Sequence, residues 1–575
     1  MNQSKIRRFV PLFVLLALAL VLAIAIAPAS AQQRARSVTI QILAVNDFHG
    51  NLVPPSGSSG RVTLVDNPSP TPDVTVDAGG VEYLATHIQA LEATNPRTVI
   101  VSAGDMIGAT PLLSALFHDE PTIEAFNRIG LDFNAVGNHE FDEGTQELLR
   151  MQNGGCHPVD GCLDGDGFNG ARFQYLAANV VNANTGKTLF PAYKIKNFSG
   201  VKVAFIGMTL EGTPNIVTPS GIAGYNFLDE ADTVNALIKE LKKKGVETIV
   251  VLIHEGGLPA AIDQYNGCPA VSGPIVDIVE RTDDEVDLFI TGHTHQPYNC
   301  IIDGRPVSSA FSFGRIVTDV DMTMSRNTGE VESITVNNVI VTRDVPKSNW
   351  MTNLIAEYNA VAAPLANRVI GSITADITRA ANPAGESALG DVIADGQLEA
   401  TDDPGFGDAV VAFMNPGGIR ADLVYAQISG SEQPGEVTYG EMFTVQPFGN
   451  SMVTLTLTGN QIDTLLEQQW LGPNVAAAKI LQVSEGFSYT WSTAAAAGSK
   501  VDIASIMIDG VAINPTGTYR VTVNSFLADG GDGFYVLRDG TDRLGGEVDT
   551  DAFEDYFQAH SPVPPGPQNR ITVAP

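Results

Sequence analysis

The chain has 575 residues, of which 44% are hydrophobic and 17% are charged. This globular composition excludes a disordered or purely fibrous protein, and the length suits two or three domains of about 150 residues each. The 33 Lys and Arg residues face 65 Asp and Glu residues, which gives a net charge of −32. Such an acidic chain repels phosphate backbones, so no nucleic-acid partner is expected, and a small anionic substrate requires a local positive charge such as a metal ion.

The N-terminal residues are typical of a secretory signal peptide. Lys5, Arg7 and Arg8 precede an apolar run over residues 9–27, and the small residues Pro-Ala-Ser-Ala follow. This pattern predicts a signal peptide over residues 1–31 and therefore an exported protein, which is periplasmic, extracellular or on the cell surface. The apolar run is long for a signal peptide, so an uncleaved membrane anchor stays open as an alternative. No other membrane span is predicted.

The first half of the chain alternates short apolar runs with amphipathic stretches. A stretch rich in Pro, Ser and Gly over residues 54–73 predicts a surface loop. The apolar runs predict strands over residues 38–45, 98–102, 201–206, 247–253 and 286–290. The amphipathic stretches predict helices over residues 81–93, 122–129 and 231–244. This alternation predicts a layered α/β domain.

One amphipathic helix over residues 349–369 is the predicted linker between two domains. Beyond it a second α/β pattern begins, with helices over residues 387–401 and 460–470 and strands over residues 409–414 and 452–458. The sequence therefore predicts two α/β domains joined by a helix.

Export makes disulfide bonds possible for the four cysteines. Cys156 and Cys162 lie in a Gly- and Asp-rich loop, and Cys268 and Cys300 flank another segment, so we predict the pairs Cys156–Cys162 and Cys268–Cys300. Four free thiols are the alternative. A zinc cluster is disfavoured because the CxxC spacing is absent.

Asp, Asn and His residues follow five apolar strands of the first half at their carboxyl ends, and these strands are predicted at residues 42–45, 99–102, 133–136, 250–253 and 288–290. Because ligands of α/β sheets bind at that edge, these side chains are expected to converge. The candidate ligands are Asp47, His49, Asp105, Asn138, His254, His293 and His295. Oxygen and imidazole donors without thiolate suit Zn, Mn, Fe or Co. Seven ligands exceed one tetrahedral site and fit two ions that share a bridging carboxylate, the arrangement that serves in-line displacement at phosphorus.

Each of these motifs is weak evidence when taken alone. Asp and Asn commonly end strands, and a His-x-His pair such as His293 and His295 is also found on surfaces. The prediction of a dimetal centre depends on five such motifs occurring at successive strand ends.

The order of these motifs resembles that of the calcineurin-like metallophosphoesterases, and specifically of the secreted bacterial 5′-nucleotidase/UDP-sugar hydrolase family. Segments 415–420, 445–450 and 526–534 resemble the C-terminal domain of that family, so the resemblance covers nearly the whole chain beyond the signal segment. It implies an N-terminal layered metallophosphoesterase domain of αββα type and a smaller α/β domain that binds substrate. The expected boundaries are residues 32–346 for the first domain, 347–369 for the linker helix and 370–575 for the 5′-nucleotidase C-terminal domain.

The resemblance implies two divalent metal ions, whose identity the ligands leave open between Zn, Mn and similar ions. The ligands of the first ion are expected to be Asp47, His49 and His295. The ligands of the second are expected to be Asn138, His254 and His293, with Asp105 bridging the two ions.

The resemblance also assigns His139 to the phosphate rather than to a metal ion, with Asp142 orienting it. A neighbouring carboxylate raises the pKa of an imidazole and fixes its tautomer, so His139 can stabilise the transition state or protonate the leaving oxygen. Asp142 is also a candidate N-cap for a helix predicted over residues 143–151, and both roles are compatible.

The second half is expected to bind the nucleoside. Glycines in segment 415–420 let the backbone approach a ligand, and an arginine offers a fork for phosphate, although the segment alone is equally typical of a turn. The resemblance implies that two phenylalanines sandwich the base and that an aspartate lies near the ribose. The expected contacts are Asn415, Gly417, Arg420, Phe448, Phe526 and Asp532. Gly385 departs from the family, whose eukaryotic members carry an arginine there, and Arg379 lies nearby but out of register.

The expected activity is removal of the 5′-phosphate from AMP-like nucleotides by in-line attack of a metal-activated water. The same motifs suit a UDP-sugar diphosphatase or a 2′,3′-cyclic-nucleotide phosphodiesterase. A third alternative is a non-catalytic surface protein that binds nucleotides. The complete set of metal ligands, together with His139 and Asp142, argues against it. A hydrolase of sulfur compounds is a fourth, and the two phenylalanines favour a base instead.

Overall fold

The computed structural model describes residues 36–55, 57–65, 74–215, 217, 219–261 and 263–574. The predicted signal peptide and its alternative, a membrane anchor, lie outside these residues. Within the described part of the chain, we find no helix with the length and apolar character needed to cross a bilayer.

Two six-stranded sheets form the first half of the chain. The first contains, in spatial order, Val331–Ile340, Ile316–Ser325, Ser37–Val45, Thr98–Ser102, Phe133–Ala135 and Gln174–Leu176. The second contains, in spatial order, Pro297–Ile302, Arg305–Ala310, Leu288–Thr291, Thr248–His254, Val201–Thr209 and Tyr193–Phe198. The central strands of both sheets run parallel, so their carboxyl ends lie along one edge.

The two sheets pack face to face and helices cover their outer faces. Ile42 of the first sheet and Leu252 of the second are fully buried in one apolar cluster between the sheets. On the outer faces, Leu84 packs in a cluster with the first sheet and Val234 in a cluster with the second. A strand between two apolar layers buries both of its faces, which explains why Thr248–His254 is apolar along almost its whole length. The four layers form the αββα sandwich that the sequence predicted.

The helices follow the predicted amphipathic stretches. Glu230–Lys243 begins at Asp229, whose side chain accepts the Asp232 N–H at 2.8 Å, and it ends on lysines that complement the helix dipole. The α-helices of the described residues are Val81–Glu92, Leu112–Ala115, Glu120–Ile129, Gly144–Asn153, Glu230–Lys243, Pro274–Arg281, Asn349–Ala366, Ala388–Asp402, Tyr439–Val445, Gly459–Glu467, Ser525–Ala528 and Asp549–His560.

The second half is a smaller α/β unit. Its five-stranded sheet contains, in spatial order, Gln482–Val483, Val411–Met414, Thr518–Asn524, Ser451–Thr458 and Thr541–Val548. A four-stranded sheet contains Val511–Ala512, Met507–Ile508, Phe487–Ser492 and Ile571–Ala574. A two-stranded sheet of this half pairs Val369–Ser372 with Glu436–Thr438. Two further two-stranded sheets belong to the first half, where Val180–Asn182 pairs with Tyr225–Phe227 and Arg61–Val65 pairs with Val74–Asp77.

The helix Asn349–Ala366 joins the two halves. Its residues Met351, Leu354 and Tyr358 are buried in the same cluster as helix Val81–Glu92, and the helix also contacts Tyr439–Val445 of the second half. It ends three residues before the predicted end because Val369 enters a strand that pairs with Thr438.

Two further predictions can be compared with the structure. The predicted loop over residues 54–73 is wrong in part, because Arg61–Val65 is a strand paired with Val74–Asp77, while residues 66–73 lie outside the described residues. Backbone hydrogen bonds between the two strands stabilise them even though the Pro- and Ser-rich composition of the segment favours a loop. The cysteines form the predicted disulfides Cys156–Cys162 and Cys268–Cys300.

Candidate dimetal centre and substrate cleft

The strand ends of both sheets bring the seven predicted ligands together. The first sheet supplies Asp47, His49, Asp105 and Asn138, and the second sheet supplies His254, His293 and His295. Six of these side chains are found in two compact groups, Asp47–His49–His295 and Asp105–His254–His293, in each of which the candidate ligand atoms lie within 4.8 Å of one another.

In the first group, His295 lies between the other two residues. Its Nε2 is 3.2 Å from Asp47 Oδ1 and 3.1 Å from His49 Nε2. In the second group, Asn138 Oδ1 lies 3.1 Å from His254 Nε2 and 3.0 Å from His293 Nδ1. Asn138 therefore joins the second group, as predicted from the sequence.

Asp105 lies between the two groups. Its Oδ2 is 2.9 Å from His254 Nε2 and 3.7 Å from His49 Nε2. Its Oδ1 accepts the backbone N–H of His139 at 2.9 Å. A carboxylate that faces both groups of donors fits the predicted bridging role.

Hydrogen bonds to backbone carbonyl oxygens outside the cluster fix how two of the imidazoles face it. His49 Nδ1 is 2.8 Å from the Gly108 carbonyl oxygen, and His254 Nδ1 is 2.8 Å from the Ala103 carbonyl oxygen. A carbonyl oxygen only accepts, so each Nδ1 carries a proton and each Nε2 faces the cluster, where it would be free to bind a metal ion once it loses its own proton. Nitrogen and carboxylate lone pairs that converge in this way suit divalent ions such as Zn²⁺ or Mn²⁺.

The electrostatics of the cluster also favour a cation. Burial lowers the pKa of His254, but Asp105 and the neighbouring carboxylates raise it to about 10. Burial raises the pKa of Asp105, but His254 and other imidazoles hold it well below its ordinary value. Burial lowers the pKa of His293 to about 3, with the His254 charge acting in the same direction. The carboxylates therefore attract positive charge strongly, while His293 keeps its lone pair.

Five of the predicted ligands have left-handed backbone conformations. The φ angles are 48° at Asp47, 47° at His49, 51° at Asp105, 68° at His293 and 51° at His295. This region is unfavourable for residues with a Cβ atom, and such strain is typically kept where it serves a site.

His139 and Asp142 lie beside the ligand groups. His139 Nδ1 is 2.9 Å from Asp142 Oδ2, which also accepts the Ala109 N–H at 3.1 Å. Burial lowers the pKa of His139, but Asp142 and then Asp105 raise it above its ordinary value. The predicted role of Asp142 as a helix N-cap is wrong. The N-cap residue of helix Gly144–Asn153 is Glu143, and no side chain caps this helix.

A cavity between the two halves contains the predicted substrate residues. The first half contributes Asn138, His139, Asp142 and His293 to its lining. All six predicted contacts of the second half also line it: Asn415, Gly417, Arg420, Phe448, Phe526 and Asp532. The Phe448 ring lies 5.9 Å from the His139 ring, so the aromatic part of the cavity adjoins the predicted catalytic pair.

Two matches to known families cover both halves of the chain. Residues 40–297 match the calcineurin-like phosphoesterase family, and residues 369–539 match the 5′-nucleotidase C-terminal domain family.

Relatives of known name match over most of this chain. Endonuclease YhcR of Bacillus subtilis is 34% identical over 550 residues, a match that covers 93% of this chain but only 41% of the Bacillus protein. A 5′-nucleotidase of Vibrio cholerae is 26% identical over 573 residues and 92% of each chain is covered. The crystal structure of a 5′-nucleotidase precursor from Thermus thermophilus superimposes with a TM-score of 0.73 at 26% identity, covering 93% of this chain and 99% of that one.

This chain belongs to the 5′-nucleotidase family of calcineurin-like metallophosphoesterases. Enzymes of this family are phosphoric ester hydrolases that use divalent metal ions.

The site is also supported by several residues to which the sequence analysis assigned no role. Lys479 pairs with Asp532, whose other carboxylate oxygen accepts the Asn415 side-chain N–H at 2.9 Å. Asn46 donates to Asp47 Oδ2 at 2.6 Å and to the Phe311 carbonyl oxygen at 2.6 Å. Lys479 carries no local sequence signal, whereas Asn46 is adjacent to a predicted ligand.

Glu140 is the most connected of these supporting residues. Its carboxylate accepts the N–H groups of Gly137 at 2.6 Å, of Asp105 at 2.9 Å and of Met106 at 2.9 Å. It thereby joins the loops that follow two neighbouring strands. Its place directly after His139 in a motif of the family was a signal that could have identified it.

The Glu140→Gln variant is expected to bind divalent metal about 10- to 100-fold more weakly. The amide replaces one acceptor oxygen with a donor that faces backbone N–H groups, so the ligand loops lose their common anchor. Metal titration measured by calorimetry checks this, with Glu280→Gln, an exposed helical change, as the control. Equal affinities in the two variants would contradict the role of Glu140.

The departure at Gly385 has a steric reason. Its φ is 90°, and a Cβ atom would lie 2.5 Å from Ile480 Cγ1. An arginine at this position would have a strained φ and would clash with the Ile480 side chain. Arg379 lies instead at a second cavity, which it lines together with Arg420 and the predicted ligand His295.

Proposed function

We propose that this chain is an exported phosphohydrolase that removes the 5′-phosphate from nucleotides such as AMP. The observation that carries the proposal is the single cavity lined both by His139 and His293 and by Arg420, Phe448 and Phe526. It combines groups suited to phosphate chemistry with two rings suited to a base.

The proposed ligands of the two metal ions correspond to the two groups of side chains described above. Asp47, His49 and His295 would hold one divalent ion, Asn138, His254 and His293 would hold the other, and Asp105 would be the ligand shared by both. Ions held by these residues would supply positive charge for the phosphate and an activated water. The ions are Zn²⁺, Mn²⁺ or similar, since nitrogen and oxygen donors accept several.

The proposed catalytic pair acts on the leaving group. Asp142 accepts from Nδ1 of His139, which fixes the ring and favours its protonated form. His139 then gives a proton to the nucleoside oxygen as the bond to phosphorus breaks. Arg420 in the same cavity offers its guanidinium to the phosphate oxygens.

The proposed nucleoside site lies in the second half. Phe448 and Phe526 are half-buried and line one cavity, and both are proposed to stack on a flat base bound there. Asp532 is held by Asn415 and Lys479, which fixes its carboxylate for a ribose hydroxyl. Gly417 lets the backbone of this wall come close to the ligand.

The proposed organisation follows from these roles. Residues 32–346 carry the phosphate chemistry, residues 347–369 link the domains, and residues 370–575 hold the nucleoside. Two disulfide bonds support export, because such bonds persist in oxidising compartments.

Substrate profiling tests the proposal. Phosphate release from AMP, UDP-glucose, 2′,3′-cyclic AMP and p-nitrophenyl phosphate is measured with Mn²⁺ or Zn²⁺. Release from AMP well above release from p-nitrophenyl phosphate is expected, because only AMP engages the two rings. Bound metal without release from any of the four would instead support a nucleotide-binding protein or a different substrate class.

The Phe526→Ala variant is expected to raise the KM for AMP about tenfold or more, since one stacking ring is lost. Hydrolysis of p-nitrophenyl phosphate is expected to change little, because that substrate does not reach the ring. Steady-state kinetics on both substrates measures this, with Phe406→Ala, at a side chain that is 67% exposed, as the control. Equal losses on both substrates would refute the base site.

A further inference from the structure

Asp119 is a buried aspartate that has no part in the chemistry described above. It is 6% exposed and stands at the N-cap position of helix Glu120–Ile129. An aspartate at this position ordinarily caps its own helix, but the Asp119 side chain makes no such hydrogen bond. Its φ of 63° is left-handed, which is uncommon for a residue with a Cβ atom. The carboxylate therefore serves another partner.

That partner is the loop that follows strand Thr98–Ser102. Asp119 Oδ2 accepts the N–H of Gly108 at 3.0 Å. The other oxygen, Oδ1, accepts the hydroxyl of Ser114 at 2.6 Å, and the Ser114 hydroxyl lies 2.7 Å from that of Thr122. Both carboxylate oxygens are thus bonded, so Asp119 holds the Gly108 peptide at a defined place.

The same loop is tied to a proposed metal ligand and to the proposed catalytic pair. The carbonyl oxygen of Gly108 accepts from His49 Nδ1 at 2.8 Å. The next residue, Ala109, donates its N–H to Asp142 Oδ2 at 3.1 Å, and this oxygen is 2.9 Å from His139 Nδ1. One short segment therefore links a proposed ligand of the first ion with the pair that acts on the leaving group.

Gly108 is packed tightly against that pair. Its φ is 82°, and a Cβ atom there would lie 2.2 Å from the His139 carbonyl oxygen and 2.8 Å from Asp142 Oδ2. Because protein interiors are close-packed, a shift of the Gly108 peptide toward the pair would displace both of these residues. Release of the loop by Asp119 is therefore expected to disturb the pair as well as His49.

Asp119 lies in the wall of a different cavity from the one proposed to bind the substrate. His139 and Asp142 line both cavities, whereas Asp119 and Gly108 line only the second of them among the described residues. The influence of Asp119 on the reaction therefore passes through the loop.

We propose that Asp119 is a positioning residue of the phosphohydrolase site. It fixes the Gly108 peptide, so that the carbonyl oxygen of Gly108 orients His49 and the N–H of Ala109 orients Asp142. One hydrogen bond outside both groups thereby couples metal binding to the chemistry of the leaving group. The inference rests on the proposed function and adds a residue that contacts neither the substrate nor an ion.

The Asp119→Ala variant removes the acceptor of the Gly108 N–H. We expect its Mn²⁺ affinity, measured by calorimetry, to fall about tenfold or more, as on loss of other groups that orient a metal ligand. At saturating Mn²⁺ we expect kcat for AMP to fall about tenfold or more, because the reacting groups are misplaced. The KM for AMP is expected to stay within about twofold, since the nucleoside contacts are untouched.

Asp229→Ala is the matched control. Asp229 is also an N-cap aspartate, but its side chain accepts the Asp232 N–H of its own helix, Glu230–Lys243. We expect this variant to lower the temperature of thermal unfolding and to leave Mn²⁺ affinity and kcat unchanged.

Two further variants complete the design. Asp119→Asn keeps an oxygen for the Gly108 N–H, and the Ser114 hydroxyl can accept from its amide, so we expect Mn²⁺ affinity and kcat within about threefold of the wild-type values. Asp119→Ser has a side chain too short to reach Gly108. It is expected to behave as Asp119→Ala does and replaces that variant if it does not fold.

Mn²⁺ affinity and kcat in Asp119→Ala equal to those in Asp229→Ala would make Asp119 a purely structural residue and overturn the proposal. Losses in Asp119→Asn as large as those in Asp119→Ala would also overturn it, because the charge rather than the hydrogen bond would then matter. The calorimetric readout needs no turnover, so it tests Asp119 even if AMP is not a substrate. Absence of AMP hydrolysis in the wild-type chain would instead contradict the proposed function.

Discussion

The Asp105→Ala variant is expected to release phosphate from AMP at less than one hundredth of the wild-type rate. Asp105 Oδ2 faces His254 Nε2 at 2.9 Å and His49 Nε2 at 3.7 Å, so it contacts both groups of proposed ligands. Its other oxygen accepts the His139 N–H. Loss of a residue that only hydrogen-bonds a metal ligand typically costs 10- to 100-fold in metal affinity or activity, and loss of a proposed bridging ligand is expected to cost more.

The measurement combines metal content with turnover. Bound metal per chain is determined by elemental analysis after gel filtration, and phosphate release is followed at saturating AMP. Asp277→Asn, at an exposed carboxylate on helix Pro274–Arg281, controls for the loss of one negative charge. Wild-type metal content and turnover in Asp105→Ala would remove Asp105 from the site.

The His139→Gln variant is expected to lower kcat for AMP by about 10²- to 10⁴-fold, the usual contribution of a positioned general acid. Metal content is expected to stay at the wild-type level, because the backbone N–H that bonds Asp105 is retained. The loss on p-nitrophenyl phosphate is expected to be smaller, because its weakly basic leaving group needs less protonation than a ribose oxygen.

The ratio of the two losses identifies what His139 does. A much greater loss on AMP supports proton donation, and Asp142→Asn is expected to reproduce part of it by removing the partner of Nδ1. His560→Gln, at a surface histidine paired with Glu399, is the matched control. Equal losses on both substrates would contradict the general-acid role and leave only a charge effect.

The sequence predicted the strand-end ligands because their placement is local. Asp47, Asp105 and His254 each come at or just after an apolar run, and parallel strands bring such positions to one edge whatever the rest of the chain does. The hydrophobic patterns also predicted most helix and strand ends to within three residues of the ends seen in the structure. The prediction that Phe448 and Phe526 share one site came from the family resemblance and not from a local sequence pattern.

Other features depend on partners far away in sequence. The hairpin that carries Arg61 was predicted as a loop, because strand pairing between Arg61–Val65 and Val74–Asp77 is not visible in composition. Lys479 meets Asp532 across 53 residues, and nothing around it indicates this pairing. Asp142 was a reasonable N-cap from its position, but its carboxylate bonds His139 and Ala109 instead. Such side-chain contacts follow from the assembled fold.

We propose that this family member hydrolyses nucleotides with divalent ions held at the seven clustered ligands. The most direct test is phosphate release from AMP by the chain after treatment with a chelator, and again after Mn²⁺ or Zn²⁺ is added back. We expect turnover to vanish in the chelated chain and to return with added metal. Hydrolysis of AMP that continues undiminished in the chelated chain would contradict a metal-dependent mechanism.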